Sequence, residues 1–217
     1  TSQDNRVDFN HVVRGTYRDG TQYNAFDGND TVIMPENVTE ASQAGWVPTS
    51  FGGGAGNDTF IIDRASEINS VMEAADEGVD TVVLAFSGAN VAIDLSALPN
   101  VENLQVSGDG NFTLVGNAED NTLLGNTAAN TFYGGAGNDT LQGLDGNDTL
   151  ETGNGGHDRL EGGAGADTYV LGEGATAEIV EVAGKAGGID LVTSNITDIV
   201  QSRSSQPPAK MMSCLPT

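Results

Sequence analysis

The amino-acid sequence predicts an all-β protein, a parallel β-roll or right-handed β-helix of stacked nonapeptide turns with short flanking strands. Three observations support this prediction. A nine-residue pattern recurs along the chain of 217 residues, each copy begins with a turn-forming hexapeptide in which glycine predominates, and each copy has an apolar residue at position eight. A period of nine fits neither a heptad nor a longer amphipathic helix, whereas a turn followed by a short strand explains both features. Two units then form one coil, and stacked coils build two parallel sheets.

The pattern Gly-Gly-x-Gly-x-Asp-x-apolar-x is clearest in a nearly continuous run from Gly116 to Val170. Six units occupy this run, and one additional residue, Thr152, stands between the fourth and the fifth unit. The first two units carry Asn121 and Asn130 in place of the aspartate at position six. The six units read GNAEDNTLL, GNTAANTFY, GGAGNDTLQ, GLDGNDTLE, GNGGHDRLE and GGAGADTYV.

Two further copies stand apart from this run, AFDGNDTVI from Ala25 and GGAGNDTFI from Gly53. The copies at Gly53 and Gly162 also share a longer similarity, because each is followed by a glutamate and then by Gly-x-Asp. The residues concerned are Glu73 with Asp80 and Glu181 with Asp190. We therefore expect an uninformative segment at 1–24, outlying repeats with connecting strands at 25–115, the main β-roll with a capping segment at 116–200, and a non-native or disordered tail at 201–217.

The side chains at position eight are expected to point inward and to form a thin core. A single unit cannot bury this side chain by itself, so stability depends on stacking. Backbone ordering costs ~1–2 kcal/mol per residue, and a core this thin is not expected to offset that cost by burial alone. The predicted core residues are Leu123, Phe132, Leu141, Leu150, Leu160 and Tyr169, with Val32 and Phe60 in the outlying copies.

Composition narrows the classes of function. Lysine and arginine number 8 against 31 acidic residues, which gives a formal net charge of −23. Such an excess opposes compaction unless counter-ions bind, and it argues against nucleic acid or an anionic membrane as a partner. No apolar run approaches the ~20 residues of a membrane span. The single cysteine, Cys214, and two distant histidines, His11 and His157, argue against a disulfide framework and a zinc site.

The chemistry of the repeated turn favours calcium. Calcium takes six to eight oxygen ligands at roughly 2.3–2.6 Å and accepts backbone carbonyls together with carboxylates. Glycine can adopt positive φ, so several carbonyls of one turn can converge without a clash of Cβ atoms. The aspartate at position six supplies the charged ligand, and turns two repeats apart lie on the same edge. The sequence therefore predicts Ca²⁺ ions held between neighbouring turns.

These in-phase copies resemble the RTX (repeats in toxin) family of bacterial proteins secreted by the type I pathway, whose haemolysin-type nonapeptide is known as a calcium β-helix repeat. The resemblance is closest over Gly116–Val170 and at the copy at Gly53, extends more loosely from Asp27 to Asp190, and does not reach either end of the chain. It implies a secreted, extracellular module with calcium as its partner, and it suggests a fragment of a toxin, adhesin or enzyme.

In the family, one ion is shared by carbonyls at positions two and four with the aspartate of one turn, and by positions one and three with the aspartate two repeats later. The resemblance therefore implies one site formed by Gly135, Gly137 and Asp139 with Gly153, Gly155 and Asp158, where the additional Thr152 disturbs the register. It implies a second site formed by Leu144, Gly146 and Asp148 with Gly162, Ala164 and Asp167.

Weaker sites would pair Asn130 with Asp148 and Asn121 with Asp139, because asparagine lacks the charge. Asp30 and Asp58 have no repeat adjacent in sequence, so their further ligands must come from elsewhere. The residues Glu73, Asp80, Glu181 and Asp190 are candidates for such edge sites.

Three functions are compared at this point. The first is a module that folds on extracellular calcium and assists type I secretion. The second is a calcium-dependent adhesive or carbohydrate-binding segment, which could contact a glycan or neighbouring domains of a larger parent. The third is an enzyme, which we do not expect, because no nucleophile-elbow spacing is present and neither histidine has an identifiable serine or cysteine partner. We interpret the chain as an excised piece of a longer protein.

Overall fold

The computed structural model describes residues 3–11, 22–25, 27–35, 50–180 and 190–194. Within these ranges the chain forms short β-strands and two 3₁₀ helices, at Ala65–Ser70 and Leu95–Ala97, and no α-helix. The strands are β1 (Arg6–Asp8), β2 (Gln22–Asn24), β3 (Thr31–Ile33), β4 (Ser50–Gly52), β5 (Thr59–Ile62), β6 (Val71–Met72), β7 (Thr81–Leu84), β8 (Val91–Asp94), β9 (Asn103–Val106), β10 (Phe112–Val115), β11 (Thr122–Leu124), β12 (Thr131–Gly135), β13 (Thr140–Gln142), β14 (Thr149–Gly153), β15 (His157–Glu161), β16 (Thr168–Leu171), β17 (Thr176–Ile179) and β18 (Leu191–Ser194).

Two compact units divide the chain. Unit 1 comprises Thr1–Phe86 with Ala97–Gln105, and unit 2 comprises Ser87–Ser96 with Val106–Thr217. The segment boundaries that the sequence suggested at residues 24, 115 and 200 stay a prediction.

Unit 1 is built from two sets of strands that alternate along the chain. Odd-numbered strands β1, β3, β5 and β7 lie side by side in one sheet, and β2, β4 and β6 form a second sheet. Each of these neighbouring pairs is parallel. A connection from one sheet to the other and back therefore makes one coil, as the sequence predicted.

Unit 2 repeats this arrangement. One sheet contains β11, β13, β15 and β17, and the other contains β8, β10, β12, β14, β16 and β18. All of these neighbouring pairs are parallel as well. The predicted all-β class and the parallel solenoid of stacked coils are confirmed.

The register places the apolar residues of position eight directly above one another. Leu123 pairs with Leu141 and Leu141 with Leu160 in one sheet of unit 2. The flanking residues at positions seven and nine point outward and are half-buried. All eight predicted core residues are fully buried, which confirms the inward direction of position eight: Val32, Phe60, Leu123, Phe132, Leu141, Leu150, Leu160 and Tyr169.

The segment before residue 25, which the sequence left without a prediction, contributes two strands to unit 1. Phe9 follows β1 and is fully buried. Its ring packs edge-on against Phe51 with centroids 4.7 Å apart and against Tyr23 at 5.0 Å. Edge-to-face pairs at such distances stabilise an aromatic cluster beyond simple burial, so Phe9 belongs to the core of unit 1.

Candidate metal centre

The residues at position six of successive coils form a first row in unit 2, consisting of Asn121, Asp139 and Asp158. The backbone amide of Asn121 donates a hydrogen bond of 2.8 Å to Oδ1 of Asp139. The amide of Asp139 in turn donates to Oδ1 of Asp158 at 2.8 Å. Each carboxylate is thus held in place by the amide of the coil before it.

A second row lies at the position-six residues of the alternate turns and consists of Asn130, Asp148, Asp167 and Asp190. The same bond recurs at each step, from the amide of one residue to Oδ1 of the next. The distances are 2.7 Å from Asn130 to Asp148, 2.8 Å from Asp148 to Asp167 and 2.9 Å from Asp167 to Asp190. The same hydrogen bond between successive coils is therefore present in both rows.

Unit 1 contains a third row, in which the amide of Asn5 donates to Oδ1 of Asp30 at 2.6 Å and the row continues through Asp58, Asp80 and Glu102. The amide of Asp30 donates to Oδ1 of Asp58 at 2.6 Å, and the amide of Asp58 donates to Oδ1 of Asp80 at 2.8 Å. Glu102 takes the last place, because its Oε2 accepts the amide of Asp80 at 2.7 Å. The outlying copies are therefore stacked in the same way as the continuous run.

The second oxygen of six of these carboxylates is the unusual feature of the rows. It is buried, and it has no hydrogen-bond partner among the residues that the structure describes. A buried charge without compensation is costly, so such an oxygen must be protonated or must meet a cation. The oxygens are Oδ2 of Asp30, Asp58, Asp139, Asp148, Asp158 and Asp167.

Electrostatics point to the same conclusion. Burial raises the pKa of Asp139 to about 7 and that of Asp148 to about 7, although a backbone amide bonded to each carboxylate opposes the shift. Burial also raises the pKa of Asp158 to about 6. The neighbouring aspartate of the row adds to the rise for Asp139 and Asp148. Stacked acids of one sign are therefore poorly accommodated without a positive partner.

Glycine at position one makes room for the second oxygen. A Cβ atom built on Gly134 would stand 2.5 Å from Oδ2 of Asp139. A Cβ on Gly143 would likewise collide with Oδ2 of Asp148, and one on Gly162 with Oδ2 of Asp167. Glycine is therefore needed at position one because a Cβ atom there would overlap the carboxylate, and not because of its backbone flexibility.

Positive φ occurs at positions two and four, as the turn chemistry requires. Gly135 and Gly137 both have φ near +112° and Gly146 has φ of +134°. Leu144 adopts φ of +80° at position two, which is uncommon for a residue with a side chain.

The predicted carbonyl ligands lie at the turns but also accept backbone hydrogen bonds. The carbonyl of Gly135 accepts the amide of Asn154 at 2.8 Å, and that of Leu144 accepts the amide of Ala164 at 2.7 Å. The carbonyl of Ala164 accepts the amide of Gly146 at 2.8 Å. Each carbonyl has a second lone pair, so ligation by these groups stays a prediction.

Thr152 itself lies in β14, and the additional residue near the fifth unit is accommodated in the turn that follows Gly153. Glu151 pairs with Tyr133 and Gly153 pairs with Gly135, so Thr152 occupies the place of a position-one glycine. The register then shifts by one residue before Asp158. Gly153 therefore stands opposite position two, where the sequence had assigned position one, and both Gly153 and Gly155 have positive φ.

Sequence reasoning missed a further set of hydrogen bonds at position five. Oδ1 of Asn138 accepts the amide of His157 at 2.9 Å, and Oδ1 of Asn147 accepts the amide of Ala166 at 2.9 Å. In unit 1, Oδ1 of Asn29 accepts the amide of Asn57 at 2.8 Å. These bonds run from each coil back to the previous one, opposite to the aspartate rows. The recurrence of asparagine directly before the aspartate was the available signal.

Glu73 and Asp80, which the longer similarity indicated, lie close to Asp58 of an outlying copy. Carboxylate oxygens of Asp58, Glu73 and Asp80 all lie within 4.8 Å of one another. Asp190 joins the second row next to Asp167. Glu181 and the tail at 201–217 lie outside the described residues.

Rows of oriented carboxylates, unpartnered buried oxygens and glycine turns are a donor set suited to calcium, which prefers oxygen ligands of this kind. Comparison with protein families matches residues 115–150 and 152–176 to the RTX calcium-binding nonapeptide repeat, in four copies. Residues 115–176 carry RTX calcium-binding repeats. The resemblance stated from the sequence is therefore confirmed for this part of the chain, and an RTX repeat is a structural element and not a catalytic one.

The matched RTX repeats contain the first row and most of the second, whereas the row of unit 1 lies outside them. No curated protein matches the chain. Among the residues that the structure describes, no helix has the length and apolar character that crossing a membrane requires.

Proposed function

We propose that this chain is a calcium-responsive folding module of a secreted bacterial protein, which remains unfolded at cytosolic calcium concentrations and folds outside the cell. Extracellular modules bind calcium at ~10⁻⁴–10⁻³ M, far above the concentration in the cytosol. An unfolded chain can pass through a type I exporter, and folding after export would then assist secretion. The RTX repeats support this reading.

The buried Oδ2 atoms of the three rows carry this proposal. Without a cation the folded chain must hold charged oxygens away from water and close to one another. Bound calcium supplies positive charge and shares its coordination between two coils. Asp139 and Asp158 of the first row, and Asp148 and Asp167 of the second, would hold it together with turn carbonyls. Binding free energy would therefore appear as folding free energy.

Circular dichroism during a calcium titration tests the proposal. We expect little β-structure in a chelator at neutral pH and a cooperative gain of β-signal as calcium reaches ~10⁻⁴–10⁻³ M. Magnesium at the same concentration should not replace calcium, because it requires a smaller octahedral site. A chain that is already β-rich in chelator and does not change in millimolar calcium would contradict the proposed function.

The secretion step can be tested separately. Replacing Asp139, Asp148 and Asp167 by asparagine removes three buried charges and should allow folding without calcium. If export requires an unfolded chain, this triple variant should accumulate inside cells that express a type I exporter and a parent protein containing the module. Equal export of the triple variant, once shown to be folded in chelator, would remove the secretion role and leave calcium binding unaffected.

A further inference from the structure

Glu73 takes the place of a position-one glycine in the turn of unit 1 that precedes Asp80. Gly52 pairs with Met72 in the parallel sheet of β4 and β6, so the next residues, Gly53 and Glu73, stand opposite each other. In the repeated pattern position one is glycine and leaves room for the aspartate of its own turn. Here a third carboxylate enters the space between two turns.

The three carboxylates are oriented by the backbone in the same manner. Oε1 of Glu73 accepts the amide of Gly53 at 2.7 Å. One oxygen of Asp58 accepts the amide of Asp30, and one oxygen of Asp80 accepts the amide of Asp58. Since one oxygen of each group is fixed by an amide, the other is available in a defined direction.

Two of these remaining oxygens have no partner in the described structure. Oδ2 of Asp58 and Oε2 of Glu73 are both buried and make no hydrogen bond there. The side chains of Asp58 and Asp80 are almost wholly inaccessible, each with 1 % of the residue surface exposed. A Cβ on Gly53 would strike Oδ2 of Asp58, so this oxygen lies directly against the backbone of the turn.

The turn itself is held at both ends. The backbone carbonyl of Glu73 accepts Nδ2 of Asn100 at 2.9 Å. The carbonyl of Glu77 accepts the amide of Gly56 at 2.6 Å. A site whose ligands are fixed in advance loses less conformational entropy when an ion binds.

Among the residues that the structure describes, no basic group forms an ion pair with Asp58, Glu73 or Asp80. Burial raises the pKa of Glu73 to about 8 and that of Asp80 to about 7, and the charged neighbours that add to these shifts are all acidic. They are Asp80, Asp58 and Glu77 for Glu73, and Asp58, Glu102 and Glu77 for Asp80. The basic Arg64 contacts Asp63 and Glu67.

The distances suit one ion. Oxygens that share a calcium at roughly 2.4 Å can be at most about 4.8 Å apart. The ligand oxygens of Asp58, Glu73 and Asp80 all lie within 4.8 Å of one another. The nonapeptide pairs Asp139–Asp158 and Asp148–Asp167 offer two carboxylates, whereas this group offers three.

We propose that Asp58, Glu73 and Asp80 form a separate calcium site in unit 1, which binds more tightly than the sites of the RTX repeats and orders unit 1 at lower calcium concentrations. This inference rests on the proposed function. Affinity for calcium rises with the charge of the ligand set, and three carboxylates lie together here where a consensus pair offers two. Unit 1 would then fold before unit 2 as calcium increases.

Isothermal titration of the full chain with calcium tests this order. The wild-type chain should show one tight binding class followed by a weaker class. Glu73→Gln keeps an oxygen for the amide of Gly53 but removes the charge, and it should weaken the tight class by ~10-fold or more while the weaker class is unchanged. Glu77→Gln is the matched control, because it removes an equal charge from the same turn without touching the three ligands.

The outcomes separate the two proposals. Loss of the tight class in Glu73→Gln but not in Glu77→Gln supports the site. Equal affinities in Glu73→Gln and wild type, or equal weakening in both variants, overturns it, although the repeats would still bind. Absence of any calcium binding by the wild-type chain overturns the proposed function as well. Circular dichroism at saturating calcium checks folding, and if Glu73→Gln does not fold, Asp80→Asn carries the same expectations.

Discussion

The amide of Asp148 donates a hydrogen bond of 2.8 Å to Oδ1 of Asp167 on the next coil, while Oδ2 of both residues is buried without a hydrogen-bond partner in the described structure. The oxygen that accepts the amide therefore stabilises the stacked coils, whereas the buried oxygen without a partner destabilises them. The stability of the fold consequently depends on pH, on the number of buried charges and on calcium, and each of these can be changed separately.

Lowering the pH should stabilise the calcium-free fold. Burial raises the pKa of Asp80, Asp139 and Asp148 to about 7 from an ordinary value of 3.8. Between these values the folded chain holds protons that the unfolded chain has lost, so stability decreases as the pH rises from about 4 to about 7. Circular dichroism in chelator should show more β-structure at pH 5 than at pH 8. With saturating calcium the trend should weaken or reverse, because protons then compete with the ion. Identical spectra in chelator at both pH values would contradict this prediction.

Asp148→Asn should have opposite effects with and without calcium. The amide oxygen can still accept the amide of Asn130, but the buried charge is gone. In chelator the variant should be more stable than the wild type, because an uncompensated buried charge has been removed. In calcium, the concentration at the folding midpoint should rise roughly tenfold, because one charged ligand is lost.

Asp145→Asn is the control for this variant. Asp145 is exposed and lies in the same turn, so its replacement removes the same charge without touching a row. A calcium midpoint that shifts equally in both variants would mean that general charge, and not the row, determines calcium binding.

The sequence predicted those parts of the molecule that repeat locally. Position six and position eight are visible in each nonapeptide, and eighteen residues separate Thr122 from its partner Thr140. The strand pairing in the longer coils of unit 1 was harder to predict from the sequence, because twenty-eight residues separate Thr31 from its partner Thr59. There the pairing is set by contacts between coils, and no local pattern encodes it.

The same physical reason explains the residues that were missed. Glu102 closes the row of unit 1 although its surroundings do not match the repeat, and Phe9 fills the core from a segment with no repeat at all. Glu73 was proposed from the longer similarity alone, and its position opposite Gly53 required knowledge of the register between β4 and β6.

Leu144→Gly should stabilise the fold. Leu144 has φ of +80°, and its side chain is exposed, so little burial is lost on its removal. Relief of left-handed strain outweighs the entropy of the added glycine, for a net gain of about 1 kcal/mol. The thermal midpoint in saturating calcium measures the gain. Leu124→Gly in strand β11 should instead lower the midpoint, and a decrease in both variants would contradict the strain at Leu144.

Asn138→Ala should weaken the contact between two coils by about 1 kcal/mol, because the amide of His157 loses its acceptor. Asn138→Asp retains an acceptor oxygen for His157, but it replaces the Nδ2 that donates to Asp120 at 3.2 Å by a second carboxylate oxygen, so it should recover little of this loss. Chemical unfolding in saturating calcium distinguishes the three proteins. If alanine is as stable as asparagine at this position, the bond at 2.9 Å contributes nothing measurable.

The register of unit 2 has a consequence for the length of such a chain. Thr131 stands beside Thr149 and Thr122 beside Thr140, both eighteen residues apart. The inward-facing residues of this interval meet apolar residues of the next coil, as Leu123 meets Leu141 and Phe132 meets Leu150. Excising or duplicating one such interval would join surfaces that have the same register. We therefore expect insertions of whole coils to be tolerated, whereas a single added residue, as near Thr152, must be absorbed within a turn.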